Sequence, residues 1–513
     1  MSKKLKWNGR DYIQSAMRYD LTLLCLAAMV VFYLSAPVLA QDAQIQAPSH
    51  PARPGNAAMV QELQRVIDLQ QKQLEEQQRQ IDAQQKQLEA QRNILLDMQQ
   101  KVQGLTGGVR PPEPPDAKKA ATQPSETTPP RRTDTQTTRR DKAHPHEEWE
   151  GSFGVETLNT RFKIGGFAEL DVIHDTDAIA SKGKFITSTI VTRDATKAQG
   201  SDGQTNYSVN PTRLYFETRT PVKKGRLTTF LSMDFFGDAL GVTPDPRLRQ
   251  AYGEITNILF GGDLMAGQAW TTFADLEAFP SVLDFQGPNS FFGTRQPLIR
   301  WTRGVADGLK LMIAAETPDN HIIQGADFLT AWPDGVLSLV WDHTPVHLMG
   351  SFVARDLRAS SNNGSTETAV GWGGSVSGKV GMPFLAEKDF MTFSVTYGEG
   401  IGSDFNDQPS DAVFDSAGTR LEAIPVFGWF ASYEHWWSEQ FTSTLVYGAL
   451  DVDNRAAQPP DSFDKSQYAS ANLVWTPTKR WLFGVEGLWG KRVDKDGADG
   501  TDFRTQFTTR FTF

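Results

Sequence analysis

The sequence predicts an all-β transmembrane barrel of about sixteen antiparallel strands with an N-terminal α-helical coiled coil. Three observations carry that reading. From Phe162 onward, segments of roughly ten residues alternate apolar and polar side chains and are separated by Gly, Pro, Asn and Asp. The connections between those segments are alternately short and long. Upstream of them, an apolar residue recurs at every seventh position from Val60 to Val102.

Taken in order, the chain opens with Lys3, Lys4, Lys6, Arg10 and Arg18 ahead of an apolar run from Leu21 to Leu34. Val38 and Ala40 then supply small residues at the minus-three and minus-one positions before Gln41, so residues 1–40 are expected to be a secretory signal peptide. The apolar run is too short for a membrane helix. Cys25 is the only cysteine and lies inside that segment, leaving the mature chain with neither a disulfide nor a thiol nucleophile. Loss of five basic and two acidic residues with residues 1–40 takes the formal charge from −10 to −13. An acidic exported protein is a poor candidate for nucleic acid. No second run approaches a membrane helix, so a membrane crossing requires a closed barrel. The negative mean hydropathy fits, because only every second residue of a barrel strand need be apolar.

Residues 41–58 read as a Pro-rich spacer, with Pro48, Pro51 and Pro54. Over 59–104, Val60, Ile67, Leu74, Ile81, Leu88, Leu95 and Val102 occupy heptad position a, and Leu63, Gln70, Gln77, Gln84, Gln91 and Met98 occupy d. Glutamine layers at d cost stability and fix register and strand number, so a parallel homotrimer is expected. At about 1.5 Å per residue it would be roughly 65 Å long. Residues 105–150 contain Gly107-Gly108, Pro111-Pro112, Pro114-Pro115 and Pro129-Pro130 among Thr, Arg and Lys, the composition of a disordered linker. His144 and His146 bracket Pro145 with no further ligand nearby, and no metal site is expected there.

The barrel is expected over 151–513. Its sixteen strands are read from Phe162–Val172, Arg213–Arg219 and Arg226–Phe235, then near 247–257, 262–272, 296–303, 309–316, 335–342, 346–357, 369–380, 389–399, 425–437, 440–449, 465–476, 480–492 and 502–513. The last is the clearest: Phe503, Thr505, Phe507, Thr509, Phe511 and Phe513 share one face, and Arg504, Gln506, Thr508, Arg510 and Thr512 the other. An aromatic last residue suits a strand ending at a membrane interface and resembles the C-terminal signal of bacterial outer-membrane barrels. Pro221–Lys224, Ile258–Gly261, His343–Pro345, Trp437–Glu439 and Pro477–Lys479 are short turns. They alternate with long loops at 174–206, 237–246, 273–295, 317–334, 358–368, 400–424, 450–464 and 493–501. Short turns on one rim and long loops on the other put both termini, and with them the coiled coil, on the periplasmic side.

A barrel of this size leaves an aqueous channel. Loop 273–295 alternates apolar and acidic residues and is expected to fold into the lumen and narrow it. Asn210-Pro211-Thr212-Arg213-Leu214-Tyr215-Phe216-Glu217, Gly267-Gln268-Ala269-Trp270-Thr271-Thr272-Phe273, Gly398-Glu399-Gly400-Ile401-Gly402, His435-Trp436-Trp437 and Gly484-Val485-Glu486-Gly487-Leu488-Trp489-Gly490-Lys491-Arg492 resemble the DcaP-like porin family. That resemblance covers about 150–513 and, more loosely, the coiled coil. It implies a homotrimeric outer-membrane porin with a periplasmic N-terminal coiled coil, preferring anionic solutes such as dicarboxylates.

Alternation turns Arg213, Arg300 and Arg355 toward the lumen, since their neighbours Leu214, Ile299 and Ala354 suit lipid. Arg249 and Arg295 join them as candidates, although the alternation around Leu248–Glu254 is ambiguous and Arg295 ends a loop. Inward guanidinium groups suit carboxylates: they stay charged, offer a planar two-pronged fork, and are weakly screened in a narrow passage. Asp275, Glu277 and Asp284 of the loop would oppose them and set a transverse field. The expected function is a passive channel for small anions, embedded in outer-membrane lipid, with no cofactor.

Enzyme readings find no support. Ser375 sits on a strand with no helix after it, so it makes no nucleophile elbow. His343 and His347 flank Pro345 and a turn, which rules out a helical metal pair. Asp494, Asp496 and Asp499 lack the distal Glu of a calcium loop, and Gly398–Gly402 opens no helix that would cradle phosphate. The rivals are a sugar-specific or phosphate-specific porin, and an envelope tether whose coiled coil binds cell wall or periplasmic proteins. A sugar pore needs an aromatic slide, and most aromatics here fall on the lipid face.

Overall fold

The alternation closes into a barrel of sixteen long antiparallel strands. The computed structural model describes residues 149–193, 200–238, 243–318, 321–330, 332–361 and 364–513. The expected signal peptide with Cys25, the spacer, the coiled coil and linker residues 105–148, His144 and His146 among them, lie outside the described residues. In chain order the strands are β1 (Thr160–Asp175), β2 (Arg213–Val222), β3 (Gly225–Asp234), β4 (Arg247–Leu259), β5 (Gly262–Trp270), β6 (Arg295–Ala306), β7 (Leu309–Glu316) and β8 (Asp334–His343). There follow β9 (Val346–Ser360), β10 (Thr366–Gly381), β11 (Phe390–Glu399), β12 (Pro425–Trp436), β13 (Phe441–Val452), β14 (Phe463–Thr478), β15 (Trp481–Asp494) and β16 (Asp499–Thr512). Each stretch read as a strand falls on one of them. Two short strands, Phe153–Val155 and Thr205–Ser208, pair with β1, and a separate small sheet joins Ile323–Gln324, Ala412–Phe414 and Leu421–Ala423.

β16 returns to pair with β1, from Phe167 opposite Thr512 to Asp175 opposite Arg504, so the sheet has no free edge. Inside that seam, ion pairs sit directly across the ladder. Arg504 Nε donates to Asp175 Oδ1 at 2.6 Å, and Arg510 pairs with Glu169. Opposite charges at facing positions favour this register, because a one-residue slip would turn them toward lipid.

The two faces of the wall differ as the period of two requires. On β16 Phe503, Phe507 and Phe511 are exposed, while Asp502, Arg504, Gln506 and Thr508 are buried. Ile164, Leu214, Ile299, Phe352 and Val485 continue the outward apolar belt on other strands. At the short-turn rim Trp475 stacks on Phe483 at 5.6 Å and Trp481 meets Phe511 edge-on at 6.0 Å, an aromatic girdle of the kind that sits at lipid headgroups.

Much of the interior is occupied by chain that returns into it. Phe185 and Ile190 of the loop after β1, Phe273, Leu283 and Phe291 of the loop after β5, and Phe405 of the loop after β11 are almost wholly buried. Glycines on the inward face of the wall make room for them. A Cβ at Gly484 would lie 2.7 Å from Leu283, and one at Gly490 2.8 Å from Thr187. Both glycines lie on β15, where the loops after β1 and β5 pack against the wall.

Candidate functional site

A cavity of about 490 Å³ lies between the loop after β5 and the opposite wall. The wall side carries Arg213, Arg249, Arg295 and Arg510, with Glu169 among them, and the turn from β14 to β15 adds Lys479 and Arg480. The loop side presents Leu276, Phe279, Val282, Leu283, Phe285 and Phe291. One side is basic and the other mostly apolar.

Local structure accounts for each arginine. Arg213 opens β2 on the inward face, opposite in parity to the exposed Leu214, and lies 5.3 Å from the Phe167 ring. Arg249 is inward because β4 carries an extra residue: Gln250 faces Ser232 and Leu248 faces Met233, so Arg249 is unpaired in the ladder and re-aimed. That bulge is the reason the alternation around Leu248 was ambiguous. Arg247 and Arg249 both bond the buried Asp234, at 2.7 and 2.6 Å. Arg295 opens β6 opposite Trp270 and lies 4.8 Å from its ring, with no ion-pair partner among the described residues. Arg300 is farther down β6, its Nη2 3.1 Å from the Met265 sulfur, outside the cavity lining.

Arg355 lies apart from the other candidate arginines. It points inward on β9, but it is buried away from the cavity, with Nε 3.2 Å from Asp334 and Nη1 3.8 Å from Asp411, and it also pairs with Asp404. His321 bonds the same Asp334 at 3.0 Å. With three carboxylates around it, Arg355 joins the start of β8 and the loop after β11 to the wall.

The loop carboxylates are also engaged. Asp275 accepts from His347 Nε2 at 3.0 Å and from Ser377 Oγ at 2.8 Å, on the wall behind the loop. Asp284 borders the cavity and accepts backbone N–H bonds from Phe185, Gln286 and Gly287 at 2.8, 3.0 and 2.8 Å. Its burial pushes the carboxyl up from the usual range. Glu277 is half-buried beside Asp275. Asp275 and Asp284 pin the loop in place rather than stand as free charges across from the arginines.

Other groups join the site. Arg510 was marked by the alternation of the last strand as inward, and it joins the basic wall 4.1 Å from Phe167. Lys184 belongs to a loop without periodicity, and its Nζ lies 5.1 Å from the Phe236 ring. An inward aromatic row also runs across three strands: Tyr215 to Phe230 at 6.0 Å and Phe230 to Tyr252 at 5.5 Å. Among the described residues no group of His, Cys, Asp or Glu could hold a metal ion.

A model of the family described as DcaP outer membrane protein matches residues 154–513. Among solved structures, the chain is similar to the crystal structure of the outer membrane channel DcaP of Acinetobacter baumannii, at 19% identity over 71% of this chain and 100% of that one, with a TM-score of 0.62. It is more distantly similar to an anion-selective porin from Comamonas acidovorans, at 11% identity over 69% of this chain and 100% of that one, with a TM-score of 0.47. No curated protein matches.

Proposed function

The chain belongs to the DcaP outer membrane protein family and is an outer-membrane β-barrel of porin fold, and from that premise we propose that it is a homotrimeric diffusion channel for small anionic solutes such as dicarboxylates. The observation that carries the reading is the gathering of Arg213 and Arg295 on one wall of a single cavity, with Arg249 beside them held by Asp234, while Asp275 and Asp284 of the facing loop are bonded elsewhere. Charge at a constriction acts locally, so the net acidity of the chain does not oppose it. A guanidinium held against a ring keeps its orientation and its charge, which suits transient pairing with a carboxylate that must also leave.

The test is the reversal potential of the purified protein in a planar bilayer under a potassium chloride gradient, repeated with dipotassium succinate. Anion selectivity is expected, and it should weaken several-fold in the Arg213→Ala/Arg295→Ala double variant. Cation selectivity of the wild type would overturn the reading.

The inward row of Tyr215, Phe230 and Tyr252 favours a second reading, a pore for sugars, since stacked rings can guide a pyranose face. Faster swelling of loaded liposomes in a neutral hexose than in succinate would support it over the first.

A further inference from the structure

We infer that Trp149 sets the selectivity of the short-turn mouth of the lumen by lying over cations of its inner wall, an inference that rests on the anion-channel reading. Arg161 and Lys163 of β1 face Arg219 and Glu217 of β2 across one ladder, Arg161 opposite Arg219 and Lys163 opposite Glu217. Their parity is that of Phe167 and Arg213, which line the cavity, whereas Ile164 and Leu214 are exposed on the outer face. Thr160 opens β1 and Val222 closes β2, so these charges stand at the short-turn end of the lumen, on the path of a solute that has left the cavity.

The chain before β1 carries Trp149 over the rim onto this face. Phe153 pairs with Phe162 and stacks on its ring at 5.7 Å, on the outside of the wall. Residues 149–152 then reverse direction: Ser152 N donates to the Trp149 carbonyl at 3.0 Å, and Gly151 adopts φ +74°, a left-handed position that a side chain would strain. Arg161 fastens the turn, with Nε donating to Ser152 Oγ at 2.8 Å and Nη2 to the Ser152 carbonyl at 3.1 Å. The indole ring ends 4.0 Å from the Arg219 guanidinium and 5.6 Å from Lys163 Nζ. Glu217 takes the Nε edge of that guanidinium at 2.7 Å, and the ring stands against it. An aromatic face attracts both cations and occupies space that a carboxylate would need to pair with them. With Arg161 spent on the turn, all three cations of the mouth are engaged by the segment around Trp149.

The experiment compares the full chain with its Trp149→Ala, Trp149→Leu and Trp149→Phe variants in bilayers under potassium chloride and dipotassium succinate gradients. Trp149→Ala should raise the single-channel conductance and increase anion-over-potassium selectivity several-fold. Trp149→Leu, apolar but without a ring, should fall on the same side, and Trp149→Phe should stay close to the wild type. Adding Arg219→Ala to Trp149→Ala should cancel most of the gain in selectivity. Heat-modifiable mobility on gels checks that each variant is a folded barrel. Wild-type conductance and selectivity in Trp149→Ala and Trp149→Leu would overturn the inference while leaving the anion channel standing. A rise in conductance with unchanged selectivity would mean that the ring only narrows the mouth, and would overturn its role in selectivity. A wild type that is not anion-selective would overturn the channel reading itself, and the inference with it.

Discussion

Asp234 is where a charge read as inward becomes something more specific. Alternation, which reports only a face, is enough to turn Arg213, Arg300 and Arg355 toward the lumen. It does not say which arginine is already neutralised: Arg249 shares Asp234 with Arg247, Arg355 is surrounded by three Asp, and Arg295 has no acidic partner among the described residues. The partners come from residues 13 to 56 positions away, beyond the reach of any local pattern. Asp234→Asn should therefore act on the fold more than on the solute. Removing one side of a buried pair costs about 3–5 kcal/mol, because the remaining charge stays desolvated. The variant is expected to unfold at a lower denaturant concentration in detergent, and to remain at least as anion-selective as the wild type. Loss of anion selectivity with unchanged stability would contradict this account.

At the scale of elements, the lumen loop depends on its anchors. Alternating apolar and acidic residues marked 273–295 as a loop that returns to the barrel, and its apolar residues are buried. Gln286 and Gly287 orient Asp284 locally, but the remaining donors to its carboxylates come from β9, β10 and the loop after β1, far away in sequence. Glu486 of β15 supplies a further tie, with Oε2 accepting from the backbone N–H groups of Leu283 and Asp284, each at 2.7 Å. Hydrogen bonds to a charged group contribute about 1.5–3 kcal/mol each. Glu486→Ala should loosen the loop without opening the barrel, and single-channel records should become noisier, with a broader spread of open-state conductance. A quiet, wild-type trace would mean that Leu283 seated over Gly484 suffices to hold the loop. The bulge that re-aims Arg249 belongs to the same scale, since it arises from two strands pairing and leaves in one strand only a local loss of alternation.

Over the described residues the molecule is a closed wall around inserted loops, with Trp149 at their start, its ring 4.0 Å from the Arg219 guanidinium. Deletion of 41–148 spares that contact and should leave conductance and selectivity unchanged, as measured in bilayers and by uptake in cells lacking the full-length protein. If uptake survives and envelope integrity fails, the tether role of the expected coiled coil is real. Period-two alternation, turn residues and loop lengths were enough to specify the strands, their number and their two faces, because a barrel wall is built from local rules repeated around a ring and lipid demands the same outward chemistry of every strand. Which inward charges are paired and where the bulge falls were decided only by the tertiary structure. Those features depend on groups far apart in the chain meeting in the lumen, where no period in the sequence records the encounter.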